Sequence, residues 1–185
     1  MVNDALAEAE LRMKGAIRAL EDDLAAIRTG RASPALVEKL NVDYYGTHTP
    51  LLQLATISAP EPRLLALRPF DPASIKAIEK AILASDLGLT PNSDGKMIRL
   101  NIPPLTEERR HELVRVVKNR SEEARVSVRN VRRDAQNDLR DFEKEKIISE
   151  DDLKRGEDEL QKLTDHYVDL INQTGQRKET EVLEV

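Results

Sequence analysis

The sequence predicts an α+β protein in which a small α/β domain is inserted between the first and second long helices of an elongated three-helix bundle. Two observations carry this expectation. All nine prolines fall between Pro34 and Pro104, so the first 33 residues and the stretch Leu105–Val185 contain none. Proline in a helix interior costs roughly 3 kcal/mol, which predicts helical ends around a non-helical middle. Those ends also carry apolar residues at helical spacing, whereas the middle carries them in alternation.

The first segment places Leu6, Met13, Ile17, Leu20, Leu24 and Ile27 on one stripe, the last five separated by 4, 3, 4 and 3. Gly30 then offers a turn out of the helix, with Pro34 close behind. In the middle, Leu40, Val42 and Tyr44 alternate with Asn41, Asp43 and Tyr45, and Gly46 ends that strand. Leu54–Ser58 and Leu64–Arg68 are two further strands. Asp71-Pro72 is a cap followed by proline at the first helical position, opening a helix with Ile75, Ile78 and Ile82 inward and Gly88 as its stop. Asn92-Ser93-Asp94-Gly95 is turn chemistry, and Ile98, Leu100 and Ile102 alternate as a last strand. From Thr106 a helix of ~40 residues, or ~60 Å, keeps Leu113, Val117, Ala124, Val128, Val131, Ala135, Leu139 and Phe142 on one face. Ser149, followed by three acids, caps a final helix with Leu153, Leu160, Leu163, Tyr167 and Leu170 inward. The domains are therefore expected at 1–30 with 105–185 (bundle) and 31–104 (insert). Thr29-Gly30-Arg31 and Ile102-Pro103-Pro104 are the two crossings, acting either as a hinge or as a pair of stiff struts.

The 185 residues include no cysteine or tryptophan. That removes disulfides, thiolate nucleophiles and Cys-ligated metal centres. No apolar run approaches the ~20 residues of a membrane span, and the acidic opening Met1–Glu8 lacks a secretory pattern, so a cytoplasmic protein is expected. Gly95-Lys96 lacks the flanking residues of a phosphate-binding loop. His48, His111 and His166 are scattered without metal-ligand spacing. No catalytic residue, metal or cofactor is expected.

Charge is distributed unevenly around the overall −5. Residues 105–140 carry 10 basic against 7 acidic side chains, and residues 141–185 carry 7 against 14. At ~100° per residue, Lys118, Arg125, Arg129 and Arg132 fall within about 60° of one another, flanked by Arg115 and Arg133 and pointing to solvent. Arg129, Arg132 and Arg133 have no acid at any ±3 or ±4 position, and Arg129–Arg133 is a like-charge pair that disfavours the helix. Either an external anion or an acid from the final helix must compensate. No aromatic accompanies the stripe, so phosphates of folded RNA suit it better than stacked single strands.

Several blocks resemble the bacterial ribosome recycling factor family: Arg28-Thr29-Gly30-Arg31-Ala32-Ser33-Pro34-Ala35-Leu36, Val42-Asp43-Tyr44-Tyr45-Gly46-Thr47-His48-Thr49-Pro50-Leu51, Glu79–Ile82 with Ser85–Leu89, Pro103–Arg110, and Val128–Ala135. They occur in family order along essentially the whole chain. The resemblance implies an L-shaped, tRNA-like molecule with a bundle arm and a β/α/β sandwich arm. It implies a non-enzymatic, monomeric translation factor that splits the post-termination ribosome with elongation factor G and GTP. The implied ribosomal RNA contacts are Arg129, Arg132 and Arg133 on the long helix, with Arg28 and Arg31 at the elbow; Arg125 and Lys118 belong to the same stripe. Tyr44 and Tyr45 serve either strand packing or contact with the GTPase. The rival class is a helical adaptor or chaperone that binds protein partners.

Overall fold

A computed structural model describes residues 1–184. The chain divides into two compact units, Met1–Arg28 with Glu107–Glu184 and Thr29–Thr106. Each division falls two residues from the boundary between the expected domains, and both differences enlarge the insert. Gly30 (φ +75°) brings its Cα so close to Leu105 that an added Cβ would sit 3.2 Å from Leu105 Cγ. Both residues therefore belong with the insert and not with the bundle.

The first unit contains three helices: α1 (Val2–Ala25), α3 (Glu107–Lys144) and α4 (Glu150–Leu183). Its core is built from Ala9, Met13, Leu20 and Leu24 of α1, Val117, Ala124, Val128, Val131, Ala135 and Leu139 of α3, and Leu160, Tyr167 and Ile171 of α4. α1 stops at Ala25, five residues before Gly30, leaving Ile27 outside the helix. Glu21, Asp22 and Asp23 occupy its final turns with no basic residue there, a charge pattern opposed to the negative end of the helix dipole. α4 opens as the sequence indicates. Ser149 Oγ accepts from the Asp152 N–H at 3.1 Å, and the Asp152 carboxylate accepts from the Ser149 N–H at 3.3 Å, a reciprocal capping box. Glycines on α4 set how near the helices come. A Cβ on Gly156 would lie 3.2 Å from Leu139 Cδ1, and one on Gly175 would lie 2.6 Å from Ser121 Oγ.

The buried Tyr167 hydroxyl donates to Glu10 Oε1 at 3.0 Å, tying α4 to α1. Burial, and then the neighbouring carboxylate, push this phenol up to about 12. A group whose pKa is raised by folding stabilises fully below its unfolded value near ~10 and loses that contribution as the pH climbs through the folded value. Stability in urea is expected to fall from roughly pH 10 upward, and Tyr167→Phe to flatten part of that decline. An unchanged decline would assign it to other groups.

The second unit holds α2 (Ile75–Ala84) and six strands: β1 (Asn41–Tyr44), β2 (Thr47–Pro50), β3 (Ala55–Glu61), β4 (Leu64–Pro69), β5 (Pro91–Ser93) and β6 (Ile98–Asn101). β1 and β2 form an antiparallel hairpin, and the other four make an antiparallel sheet in the order β3-β4-β6-β5. Ile75, Ile78 and Ile82 of α2 close over Val42, Leu51, Leu65, Leu67, Ile98 and Leu100.

Gly46 ends β1 as expected, and it also turns the chain into β2, a strand the alternation does not predict: Tyr45 (φ 50°) and Gly46 (φ 81°) both adopt left-handed conformations, as a two-residue hairpin turn requires. Three local expectations need correction. Pro72–Ser74 forms a short 3₁₀ turn, capped by Asp71 Oδ1 on the Ala73 N–H at 2.9 Å, before α2 begins at Ile75. The α2 stop is Ser85, whose hydroxyl donates to Ile82 O at 2.6 Å, and Gly88 lies beyond it. Finally, Pro91–Ser93 is an edge strand, which tolerates its leading proline. The turn shrinks to Asp94–Lys96, held by Asp94 Oδ1 accepting from the Lys96 and Met97 N–H groups at 3.0 and 2.9 Å.

Candidate nucleic-acid interface

α3 is 38 residues long, about 57 Å at 1.5 Å per residue. Its buried positions, Leu113, Val117, Ser121, Ala124, Val128, Val131, Ala135 and Leu139, occupy one side. Arg115 and Arg133 share one azimuth (18 residues is five turns) close to the centre of the opposite face. Lys118 and Arg129 lie between that centre and the α4 side. All four side chains are exposed. From Arg115 to Arg133 the row runs about 27 Å along the helix.

The expected stripe does not point outward as a whole. Arg125 and Arg132 lean onto α4: Arg125 Nη1 donates to Asn172 Oδ1 at 2.8 Å, and Arg132 Nη1 donates to Gln161 Oε1 at 3.1 Å. Both partners are neutral amides. Nor is Arg129 unpaired. It lies 3.2 Å from Glu122 Oε1, while Arg125 Nε donates to the other oxygen of the same carboxylate at 2.8 Å. An i−7 partner is two turns away, outside the ±3 and ±4 positions, and long side chains bridge it. The Arg125 bond, more than the Arg129 contact, holds the Glu122 carboxyl below its ordinary range. One acid thus serves two arginines and leaves a net positive charge. Among the described residues, no ion pair or hydrogen bond involves Arg133, Arg115 or Lys118.

Arg28 closes the bundle unit and Arg31 lies in the insert, both exposed. In the insert, Ala32 N–H donates to Pro62 O at 2.7 Å and Ile102 N–H donates to Arg63 O at 2.8 Å, so both strands of the crossing are anchored to the β3–β4 turn. Tyr44 is half-buried and its hydroxyl donates to Asp71 Oδ2 at 3.1 Å, which pushes that phenol up. Tyr45 stacks edge-on against it at 4.6 Å and is 80% exposed. Among the described residues no cluster of His, Asp or Glu is placed to hold a metal ion, and no helix is long and apolar enough to cross a membrane.

Gln161, Asn172 and Glu122 carry no motif that marks them. The two amides become visible only when α4 packs on α3, whereas the seven-residue spacing of Glu122 and Arg129 is a readable signal.

These features define a two-unit α+β protein, one unit a helical bundle with a cationic helix face and the other a small antiparallel sheet domain. The chain belongs to the ribosome recycling factor family, whose model matches residues 20–183, and so to the ribosome-binding proteins of protein biosynthesis. It is 56% identical over 185 residues to the ribosome-recycling factor of Carboxydothermus hydrogenoformans and 58% identical over 185 residues to that of Roseiflexus castenholzii, covering 100% of each chain. A solution structure of the ribosome recycling factor superposes with a TM-score of 0.75 at 47% identity, over 100% of this chain and 98% of that one. A second match comes from models of the T. thermophilus ribosome recycling factor and E. coli elongation factor G bound to the E. coli post-termination complex. Its TM-score is 0.64 at 48% identity, over 99% of both chains.

Proposed function

We propose that this chain docks the α3 cation row on RNA of the large ribosomal subunit. With elongation factor G and GTP, it then separates the post-termination ribosome into subunits and frees mRNA and tRNA. One observation carries the docking: Arg133 faces solvent with no partner among the described residues, next to Arg132, whose hydrogen-bond partner is a neutral amide. Guanidiniums on a rigid rod, with no aromatic beside them, suit the phosphates of folded RNA read by shape. The relative seen with elongation factor G on a post-termination complex supports the task. The chain acts as a cytoplasmic monomer and performs no bond chemistry of its own; the elongation factor hydrolyses the nucleotide.

The two crossings, Thr29-Gly30-Arg31 and Ile102-Pro103-Pro104, are the proposed hinge, tied to the insert by the Ala32 N–H next to the first and by the Ile102 N–H at the start of the second. Arg28 and Arg31 add RNA contacts near it. Spin labels on Arg18 of α1 and Lys76 of α2 test this: their distance distribution should shift when ribosomes, elongation factor G and GTP are added. An unmoved distribution contradicts a hinge.

The task is tested by light scattering of post-termination ribosomes. A fall that requires this chain, elongation factor G and GTP together is expected; an unchanged signal despite binding removes the splitting role. Glu122→Gln adds a test of sign. It frees Arg125 and Arg129 from their shared carboxylate, so ribosome affinity should rise several-fold, about 1 kcal/mol, with a steeper salt dependence. Unchanged affinity would place the Arg125–Arg129 segment outside the contact.

A further inference from the structure

α4 is the acid-rich helix, yet it withholds its acids from the docking row. Residues 141–185 carry 14 acidic side chains, and where α3 leaves the row α4 uses one: Glu157 Oε1 accepts from Arg140 Nε and from Gln136 Nε2, each at 3.0 Å. Within the row the pattern changes. Arg132 meets the amide oxygen of Gln161 at 3.1 Å, and Arg125 meets that of Asn172 at 2.8 Å. Gln161 is itself oriented, because its Nε2 donates to Asp165 Oδ1 at 2.8 Å, which leaves Oε1 to face the arginine. Among the described residues Arg132 Nε is shut away from solvent with no partner, and an unsatisfied buried donor in a native structure calls for an explanation.

We propose that Gln161 and Asn172 are positioning residues for RNA docking. Each fixes the direction of an arginine with a neutral acceptor: Arg132 is ordered in advance and keeps its full charge for a phosphate, and Arg125, which shares the Glu122 carboxylate with Arg129, meets no second acid on α4. The inference rests on the docking reading above. A carboxylate in either place would hold the arginine equally well and cancel the charge the RNA needs.

Gln161→Glu makes this exchange with almost no change of shape. Binding to isolated large ribosomal subunits is measured across a salt series, alongside the melting temperature of the free protein. The expected result is roughly tenfold weaker binding and a slope of log affinity against log salt shallower by about one, with little change in melting temperature, because the new exposed pair with Arg132 offsets the lost Gln161–Asp165 hydrogen bond and the like charges at i,i+4. Asn172→Asp should reproduce it through Arg125. Wild-type affinity and slope in both variants would overturn the inference. So would weaker binding that comes with a lowered melting temperature and an unchanged slope, which marks a structural role. Arg133→Glu, which touches neither amide, separates the two levels. If it alone weakens binding, docking stands and the positioning role falls; if it binds like the parent, the docking reading falls and takes this inference with it.

Discussion

The Arg129→Glu/Arg133→Glu variant should bind ribosomes at least about 100-fold more weakly than the parent chain and keep its fold. Two phosphate contacts are lost and two repulsions added, and at about 1.4 kcal/mol per contact the loss reaches two decades before repulsion is counted. The slope of log affinity against log salt should flatten by about two, since each neutralised phosphate contributes roughly 0.9. Stability responds differently because both side chains are exposed. Arg133 has no partner to lose, and the Arg129–Glu122 pair, about half exposed on each side, is the kind of surface pair worth under about 1 kcal/mol. The like-charge pair at i,i+4 is exchanged for another, so its cost is unchanged in kind. Melting curves and binding isotherms on one preparation check this. A lowered melting temperature with parental affinity would mean that these arginines serve the bundle and not the ribosome.

Leu139→Ala is expected to do the reverse. Leu139 is fully buried and fills the space that Gly156 leaves between α3 and α4, where an added Cβ would come within 3.2 Å of Leu139 Cδ1. Removing the isobutyl group forfeits its transfer energy and leaves a cavity, a loss of about 3 kcal/mol. That lowers the melting temperature by about 10 °C in a chain of this size. Leu11→Ala on α1 is the control: Leu11 is 69% exposed, and surface truncations stay within about 0.5 kcal/mol. Equal shifts in the two variants, followed by circular dichroism at the helical band, would contradict the packing described.

The long helices were readable because proline exclusion and a 3.6-residue period act locally and point the same way over dozens of residues. The Ser149 cap was readable for a similar reason, since its partner Asp152 lies three positions on. β2 escaped notice because Thr47-His48-Thr49-Pro50 is polar and its pairing with β1 depends on two left-handed residues that alternation does not register. α1 ends five residues before Gly30, with acids and no base in its last turns, so the glycine that follows is not its stop. At the candidate interface, helical azimuth gathers the cations on one side of α3. It could not show that Arg125 and Arg132 turn toward α4, because their partners lie 47 and 29 residues away. The neutral character of those partners, on a helix otherwise rich in acid, is legible only after folding.

Because the chain has no cysteine, a single one can be introduced and carry an iron chelate that cleaves nearby RNA. Asn119→Cys on α3 places it beside Arg115 and Lys118, and Ala19→Cys, an exposed position on α1, serves as the control. On post-termination ribosomes, the α3 probe should cut large-subunit RNA strongly, and more strongly than the α1 probe. Cuts of equal strength from both helices, or cuts from α3 confined to small-subunit RNA, would contradict docking through the cationic face.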